Sequence, residues 1–286
     1  MFAHEFMRHA FLGGTFIALA CGLVGYFVVL RAEVFAGDAL SHVAFSGALA
    51  AAAAGIDLRI GLFATTVLVA LGMGAAGRHA RADDAAIGSF FAWVLGLGVL
   101  FLSIFTTSSS GGNGTAGARV LFGSVFGLSA SEAWLAALVG VAVSAALLAI
   151  ARPLLFASLD PEVARARGVP VRLVGLALLG LLGVAGAEAT QAVGALLLLG
   201  LIAAPAGAAH RLAPNPYIGL ALSGGIAVLS TWAGLSLSYL LETPPPSSMI
   251  VAVAVAAHAL SAVVTRRPAL LERLGRGRWP KLESIP

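Results

Sequence analysis

VFAGDALSHVAFSGALAAAAAG, residues Val34–Gly55, is apolar and long enough to cross a membrane. Near its beginning it nevertheless carries three polar side chains: Asp38, Ser41 and His42. Because positions i and i+4 of an α-helix share a face, Asp38 and His42 should present a carboxylate and an imidazole on one side. The hydroxyls of Ser41 and Ser46 should lie beside this pair.

A carboxylate and an imidazole are costly to bury in a membrane, so such a pair usually faces a polar cavity and marks an ion or proton path. Oxygen and imidazole nitrogen are also suitable ligands for a divalent transition metal. A second interpretation stays open from the spacing alone. Asp38 could accept hydrogen bonds in a local cap or turn, and His42 could be bonded to a neighbouring carbonyl.

The composition of the whole chain is that of a membrane protein. Of its 286 residues, 59% are hydrophobic and only 10% are charged, whereas soluble domains have about 25% charged residues. The mean hydropathy is +0.98. Cys21 is the single cysteine, so neither a disulfide within one chain nor a thiolate metal site is available. These properties predict an all-α polytopic membrane protein.

Nine apolar segments have about the length that a membrane span needs. The predicted spans are 8–30, 34–55, 59–77, 86–105, 131–151, 172–188, 192–209, 216–240 and 247–265.

The basic residues predict the orientation, because cytosolic loops are rich in Lys and Arg. With the C-terminus inside, 14 of the 17 basic residues are cytosolic, and only Arg8, Arg59 and Arg119 are outside. We therefore expect an extracytoplasmic N-terminus, a transmembrane domain over 1–265 and a basic cytosolic tail over 266–286.

The longest cytosolic loop contains the signals of a short helix over 161–167. Asp160 is a good N-cap, and Pro161 suits the first helical position. Gly168 suits the position after the helix, and Pro170 prevents its continuation. A capped helix held between two spans is a surface on which a cytosolic motor could act, although an ordinary connector has the same caps.

Other polar positions are weaker candidates. Glu188 and Gln191 lie at the end of a predicted span, where a mouth or a turn is the simpler interpretation. His258 lies inside the last span, where a hydrogen bond to a neighbouring helix is more common than metal binding. His210, at a span end, is expected to contact lipid. Ser41, Glu188 and His258 are kept as secondary candidates for the path.

The region between the fourth and fifth spans has two parts. Residues 106–118 read TTSSSGGNGTAGA and predict a flexible extracytoplasmic linker. The following RVLFGSVFGLS, residues 119–129, is too short to span and predicts a re-entrant or interfacial turn.

Motifs of soluble enzymes are absent from the sequence. There is no GxxxxGK[ST] phosphate loop, no HExxH zinc helix and no GxSxG nucleophile turn. Nothing resembles a nucleic-acid-binding module. We therefore expect a protein that is not an enzyme, does not hydrolyse ATP itself and does not bind nucleic acid.

Three stretches together resemble the membrane permease subunits of ABC importers for zinc, manganese or iron. Residues 29–51 read VLRAEVFAGDALSHVAFSGALAA, similar to that family's GDALSH segment at the second span. Residues 118–132 read ARVLFGSVFGLSASE, similar to its LFG turn. Residues 160–212, with DPEVARARGVPVRLVG followed by AVGALLLLGLIAAPAGAAHRL, resemble its coupling loop and the next span. The resemblance covers most of the chain.

This resemblance implies the fold of the cobalamin-type importer permeases and a multi-pass protein of the prokaryotic cytoplasmic membrane. It implies a homodimer surrounded by lipid, with ATPase subunits beneath it and an extracytoplasmic metal-binding protein above it. Asp38 and His42 of both copies would contact the transported metal. The segment that would couple to the ATPase contains Asp160, Glu162, Arg165 and Gly168. Zinc, manganese or iron would be cargo, and no permanently bound cofactor is expected.

The resulting hypothesis is ATP-driven uptake of a divalent metal, and three alternatives stand beside it. A permease for a metal chelate or a cobalamin-like ligand would not need the Asp38–His42 pair. An ATP-independent, proton-coupled carrier could use the pair as a relay but would not need the capped helix 161–167. An intramembrane enzyme would need a second catalytic cluster, and the sequence offers none.

Overall fold

The computed structural model describes residues 4–77, 84–108, 123–195, 198–241 and 244–276. These residues form α-helices joined by short turns, with one 3-10 turn at Val125–Gly127 and no strand among them. The helices are α1 Glu5–Leu30, α2 Val34–Ala53, α3 Leu58–Ala76, α4 Asp84–Ser108, α5 Ala130–Leu159, α6 Pro161–Ala166, α7 Val171–Val193, α8 Leu198–Leu212, α9 Pro216–Leu241 and α10 Pro246–Arg276. The predicted all-α polytopic class is confirmed.

Eight of the nine predicted spans coincide with helices that are long and apolar enough to cross a membrane. The seventh, predicted over 192–209, is instead the helix α8, whose 15 residues start at Leu198. At about 1.5 Å per residue this helix is about 22 Å long, shorter than the ~30 Å hydrocarbon core. The last helix does not end at 265 but continues to Arg276.

Helix α1 lies at the centre of the bundle and packs against α5, α7, α8 and α9. Small residues let the backbones approach closely. A Cβ atom on Gly22 would lie 2.7 Å from the carbonyl oxygen of Ser223 on α9. The Ser223 hydroxyl in turn donates a hydrogen bond of 2.6 Å to the Gly22 carbonyl. Close backbone contact and polar cross-links of this kind are how helices associate in lipid.

Helices α4 and α10 are peripheral, because only 17% of the most apolar stretch of each helix is buried inside the protein. Large apolar side chains also point outwards elsewhere, such as Leu138 and Leu240, which are each 71% exposed. A surface of this kind suits contact with lipid or with another membrane helix.

The predicted helix after Asp160 is present as α6, Pro161–Ala166. The Asp160 carboxylate accepts hydrogen bonds from the backbone amides of Glu162 and Val163, at 3.1 and 3.0 Å. Gly168 ends the helix with φ +82°, a conformation that favours glycine. Ala164 is completely buried and belongs to a small apolar cluster with residues of α5 and α7. Caps and packing therefore hold α6 between two long helices.

The predicted linker 106–118 lies largely outside the described residues, although α4 continues to Ser108. In the following segment the described part begins at Gly123, which has φ +72° and lies against the end of α7. The backbone amide of Ser124 donates a hydrogen bond of 3.2 Å to the carbonyl of Gln191. The segment thus packs on α7, and its predicted re-entrant or interfacial position stays a prediction.

Candidate functional site

Asp38 and His42 lie one turn apart on α2 and are both partly exposed, whereas the intervening Ala39, Leu40 and Ser41 are completely buried. The imidazole of His42 packs near the ring of Phe91 on α4, with centroids 5.4 Å apart. Within the residues that the structure describes, neither the Asp38 carboxylate nor the His42 ring has a hydrogen-bond or ion-pair partner. The pair is therefore on a partly open side of α2, and its polar atoms form no hydrogen bond or ion pair within the described fold.

The two serines near this pair are engaged elsewhere. The Ser41 hydroxyl donates to the carbonyl of Asp38 at 2.6 Å, and the Ser46 hydroxyl donates to the carbonyl of His42 at 3.2 Å. Both serines are buried, and Ser46 packs against Gly98 of α4. These hydroxyls satisfy their own helix, so the carboxylate and the imidazole remain as the available ligands.

One copy of the chain offers an incomplete metal site. No group of three or more His, Cys, Asp and Glu side chains that could hold a metal ion occurs in the part of the chain that the structure describes. Because protein metal sites usually have four or more ligands, Asp38 and His42 could supply two of them at most. The others would have to come from water or from another chain.

A buried ion pair stands just before α2. A nitrogen of the Arg31 guanidinium lies 3.1 Å from Glu33 Oε1, and the two side chains are 1% and 2% exposed. Between them Ala32 has φ +57°. Removing one partner of an ion pair that is buried this completely strongly destabilises a protein. Arg31 and Glu33 therefore fix the bend between α1 and α2, and hence the place where α2 starts.

Glu188 and Gln191 lie within the last turns of α7 and not in a turn after it, and their place at an outer mouth stays a prediction. Glu188 is 2% exposed. Arg59, in the first turn of α3, donates a hydrogen bond of 2.7 Å from Nε to Gln191 Oε1. Among the described residues, Arg59 Nη2, Gln191 Nε2 and Glu188 Oε2 are buried without a hydrogen-bond partner. Three polar groups with unused hydrogen-bonding atoms thus lie in the region where α3 begins and α7 ends.

Two further histidines, His258 of α10 and His210 of α8, lie away from the pair on α2. His258 packs against Gly207, where a Cβ atom would lie 2.8 Å from His258 Nδ1. That nitrogen is buried without a partner among the described residues. The sequence suggested lipid contact for His210, and the structure shows that this partly buried ring has a partner within the protein. It stacks on Tyr26 at a centroid distance of 4.2 Å and forms a hydrogen bond of 2.9 Å with the Tyr26 carbonyl.

The residues predicted to couple to an ATPase form an exposed face on α6. Glu162 and Arg165 are 72% and 50% exposed and lie 3.4 Å apart as an ion pair. Such an exposed pair contributes little to stability. Asp160 and Gly168 shape the two ends of the helix, while Glu162 and Arg165 are accessible to another protein.

Sequence reasoning missed two polar contacts, Arg31 with Glu33 and Arg59 with Gln191. Arg31 and Glu33 had a local signal, because opposite charges two residues apart separate two apolar spans. Arg59 had none, since its partner Gln191 is 132 residues away along the chain. Only the packing of α3 against α7 brings those two side chains together.

Comparison with known proteins gives relatives along nearly the whole chain. The manganese transport system membrane protein MntC of Halalkalibacterium halodurans is 29% identical over 282 residues, which cover 98% of this chain and 94% of that protein. The manganese import system permease protein ScaB of Streptococcus parasanguinis is 29% identical over 252 residues, 88% of each chain. A protein described as a probable iron transport system membrane protein of Haemophilus influenzae is 28% identical over 239 residues, 82% of this chain and 85% of that one.

Solved structures share the arrangement of helices. PsaBC from Streptococcus pneumoniae in complex with Fab matches with a TM-score of 0.77 and 26% identity, over 90% of this chain and 91% of that chain. An inward-facing structure described as a metal-chelate type ABC transporter matches with a TM-score of 0.60 and 15% identity, over 90% and 86% of the two chains. The second likeness concerns the fold alone. The sequence pattern of the ABC 3 transport family matches residues 3–265, so this chain belongs to the ABC 3 transport family and is a multi-pass transport permease rather than an enzyme.

Proposed function

We propose that this chain is the permease subunit of an ATP-driven importer that carries a divalent transition metal, manganese foremost, into the cytoplasm. The observation that carries the proposal is the pair Asp38 and His42, partly exposed on α2 and without hydrogen-bond or ion-pair partners among the described residues. A role in holding the fold together through hydrogen bonds would require bonds to these side chains, and none occurs among the described residues. The metals named for the relatives support the choice of cargo.

The chemistry of the pair suits transient binding of such an ion. A carboxylate offsets part of the free energy that the cation loses when it sheds water, and an imidazole adds a nitrogen ligand. Oxygen and nitrogen ligands suit Mn, Fe and Zn better than Cu(I). In the proposed homodimer, Asp38 and His42 of the second copy face the same ion, which raises the ligands to four. The absence of thiolates at the pair favours release, which a transport site requires.

The proposed assembly follows from the two ends of the bundle. The basic loops predict that the N-terminus and the α2–α3 turn are outside and that α6 and the C-terminus are inside the cytoplasmic membrane of a prokaryote. An ATPase subunit then docks on Glu162 and Arg165 of α6. A metal-binding protein delivers the ion to the opposite face. Closure of the ATPase subunits pushes α6 and opens the path inwards.

The test is metal accumulation by variants of the pair. Asp38→Asn removes the charge and keeps the shape, and His42→Ala removes the nitrogen ligand. Both should lower uptake of radioactive Mn²⁺ severely, measured per assembled transporter in proteoliposomes with the ATPase and ATP. Ser46→Ala is the matched control, because it removes a hydroxyl one turn from His42 that bonds only its own helix in the described structure.

Expression, assembly and melting temperature are recorded for every variant. We expect normal assembly and melting in all three, and normal uptake in Ser46→Ala alone. Wild-type Mn²⁺ uptake by both Asp38→Asn and His42→Ala would refute the role of the pair.

A further inference from the structure

The contact between α3 and α7 contains small residues on both helices. A Cβ atom on Gly183 of α7 would lie 3.1 Å from Ala70 Cβ and 3.2 Å from the Thr66 carbonyl oxygen on α3. One turn before Gly183, a Cβ on Gly180 would meet only a Leu71 methyl group, at 3.6 Å. Further along α3, Gly74 lies against two leucines of α7 that are three residues apart, Leu176 and Leu179. Helices packed in this way can slide against each other, as in the shear motions of other proteins.

At one end of this contact, Arg59 has two possible partners. Its Nε donates to Gln191 Oε1 at 2.7 Å, while Nη2 is buried and unpaired among the described residues. Glu188 precedes Gln191 by three residues on the same face of α7. Its side chain is 98% buried, and Oε2 also lacks a partner in the described part of the chain. An arginine bonds a carboxylate more strongly than it bonds a neutral amide.

We propose that α3 and α7 form a sliding joint with two positions, in which Arg59 binds Gln191 in one and Glu188 in the other. Three residues of a helix correspond to about 4.5 Å along its axis, which is the largest displacement that the exchange requires. In the second position, Ala70 faces Gly180 instead of Gly183. Arg59 Nη2 and Glu188 Oε2, which lack partners in the described position, then bond to each other.

The joint carries the candidate site with it, and this consequence rests on the proposed function. Helices α2 and α3 pack as a hairpin, since a Cβ atom on Gly47 would lie 2.7 Å from the Gly61 carbonyl oxygen. On the other side, Ala187 of α7 belongs to one cluster with Ala44 and Ala48 of α2. Sliding of the hairpin along α7 therefore shifts α2, and with it the pair Asp38 and His42, relative to the rest of the bundle.

Cysteine pairs distinguish the two positions. In a Cys21→Ala background, Ala70→Cys with Gly183→Cys reports the described position, because 3.1 Å is only slightly less than the ~3.5–4.5 Å between the Cβ atoms of a disulfide. Ala70→Cys with Gly180→Cys reports the second position. Each importer is oxidised in proteoliposomes with and without ATP, and the disulfides are quantified by mass spectrometry.

We expect the 70–183 disulfide without ATP and the 70–180 disulfide during ATP turnover. Adding Glu188→Gln should lower the yield of the 70–180 disulfide at least tenfold and leave the 70–183 disulfide unchanged. Glu5→Gln, a change of an exposed carboxylate in the first turn of α1, is the control and should alter neither yield. Absence of the 70–180 disulfide during ATP turnover, or the same yield with Glu188→Gln, overturns the proposal.

A second measurement links the joint to transport. Oxidation of the 70–183 pair should stop Mn²⁺ accumulation, and reduction should restore it. Full accumulation by the oxidised pair overturns the role of sliding in transport. If the proposed metal function is wrong, the wild type accumulates no Mn²⁺. The disulfide yields still test the sliding joint in that case, because they are measured without metal.

Discussion

Gly168 ends α6 in a left-handed conformation, and Gly168→Ala should weaken this helix end through the backbone alone. Its φ is +82°, and no atom lies within 4 Å of a Cβ built there. The amides of Gly168 and Val169 donate to the carbonyls of Arg165 and Ala164, both at 3.0 Å. A left-handed alanine costs about 1–2 kcal/mol, which corresponds to about a 5- to 30-fold smaller population of the intact helix end.

Gly55 offers a matched control, because it ends α2 with the same arrangement. Its φ is +71°, and a Cβ atom there would also meet nothing within 4 Å. The amides of Gly55 and Ile56 donate to the carbonyls of Ala52 and Ala51, at 3.2 and 2.9 Å. Gly55→Ala therefore has the same free-energy cost in the backbone, but at the end of the bundle that is opposite to α6.

The assay compares both variants in proteoliposomes with the ATPase subunit and ATP. Hydrogen exchange should show similar local destabilisation at the two helix ends. Mn²⁺ transported per ATP hydrolysed should fall about fivefold or more in Gly168→Ala and stay near the wild-type value in Gly55→Ala. An equal loss in the two variants would refute the coupling role of α6, because the effect would then follow stability and not position.

Two further predictions concern topology and packing. An impermeant maleimide should label Ile56→Cys in intact cells and leave Arg167→Cys unlabelled, because both positions are exposed and lie at opposite ends of the bundle. Labelling of Arg167→Cys alone would contradict the predicted extracytoplasmic N-terminus. Gly22→Ala should lower the stability of the purified protein by about 1–3 kcal/mol through overpacking, because a Cβ atom there lies 2.7 Å from a carbonyl oxygen of α9. Gly88→Ala, where nothing lies within 4 Å, should instead raise it by about 0.5–1 kcal/mol in a thermal unfolding assay.

The local features of the fold could be predicted because they depend on residues that are close along the chain. Asp160 and Gly168 are a few residues from the groups that they cap, so the sequence predicted α6 within one residue of its observed end. The spacing of Asp38 and His42 likewise places them on one face of α2. Apolar length predicted eight of the helices that can span a membrane. It overestimated the seventh helix as a full span, because apolar residues from Ala192 onwards precede Leu198, where α8 begins.

Sequence alone thus determined the class of the protein, its family motifs, the candidate pair and the capped helix, since composition, caps and helical periodicity act over a few residues. Tertiary structure decided which polar groups are used and which are left over. It gave His210 a partner on α1, joined Arg59 to Gln191 across 132 residues and left Glu188 buried beside them. It also left Asp38 and His42 without hydrogen-bond or ion-pair partners among the described residues. The physical reason is that apolar helices of similar composition can pack in many registers, and only the packing of glycines and alanines selects which distant side chains meet.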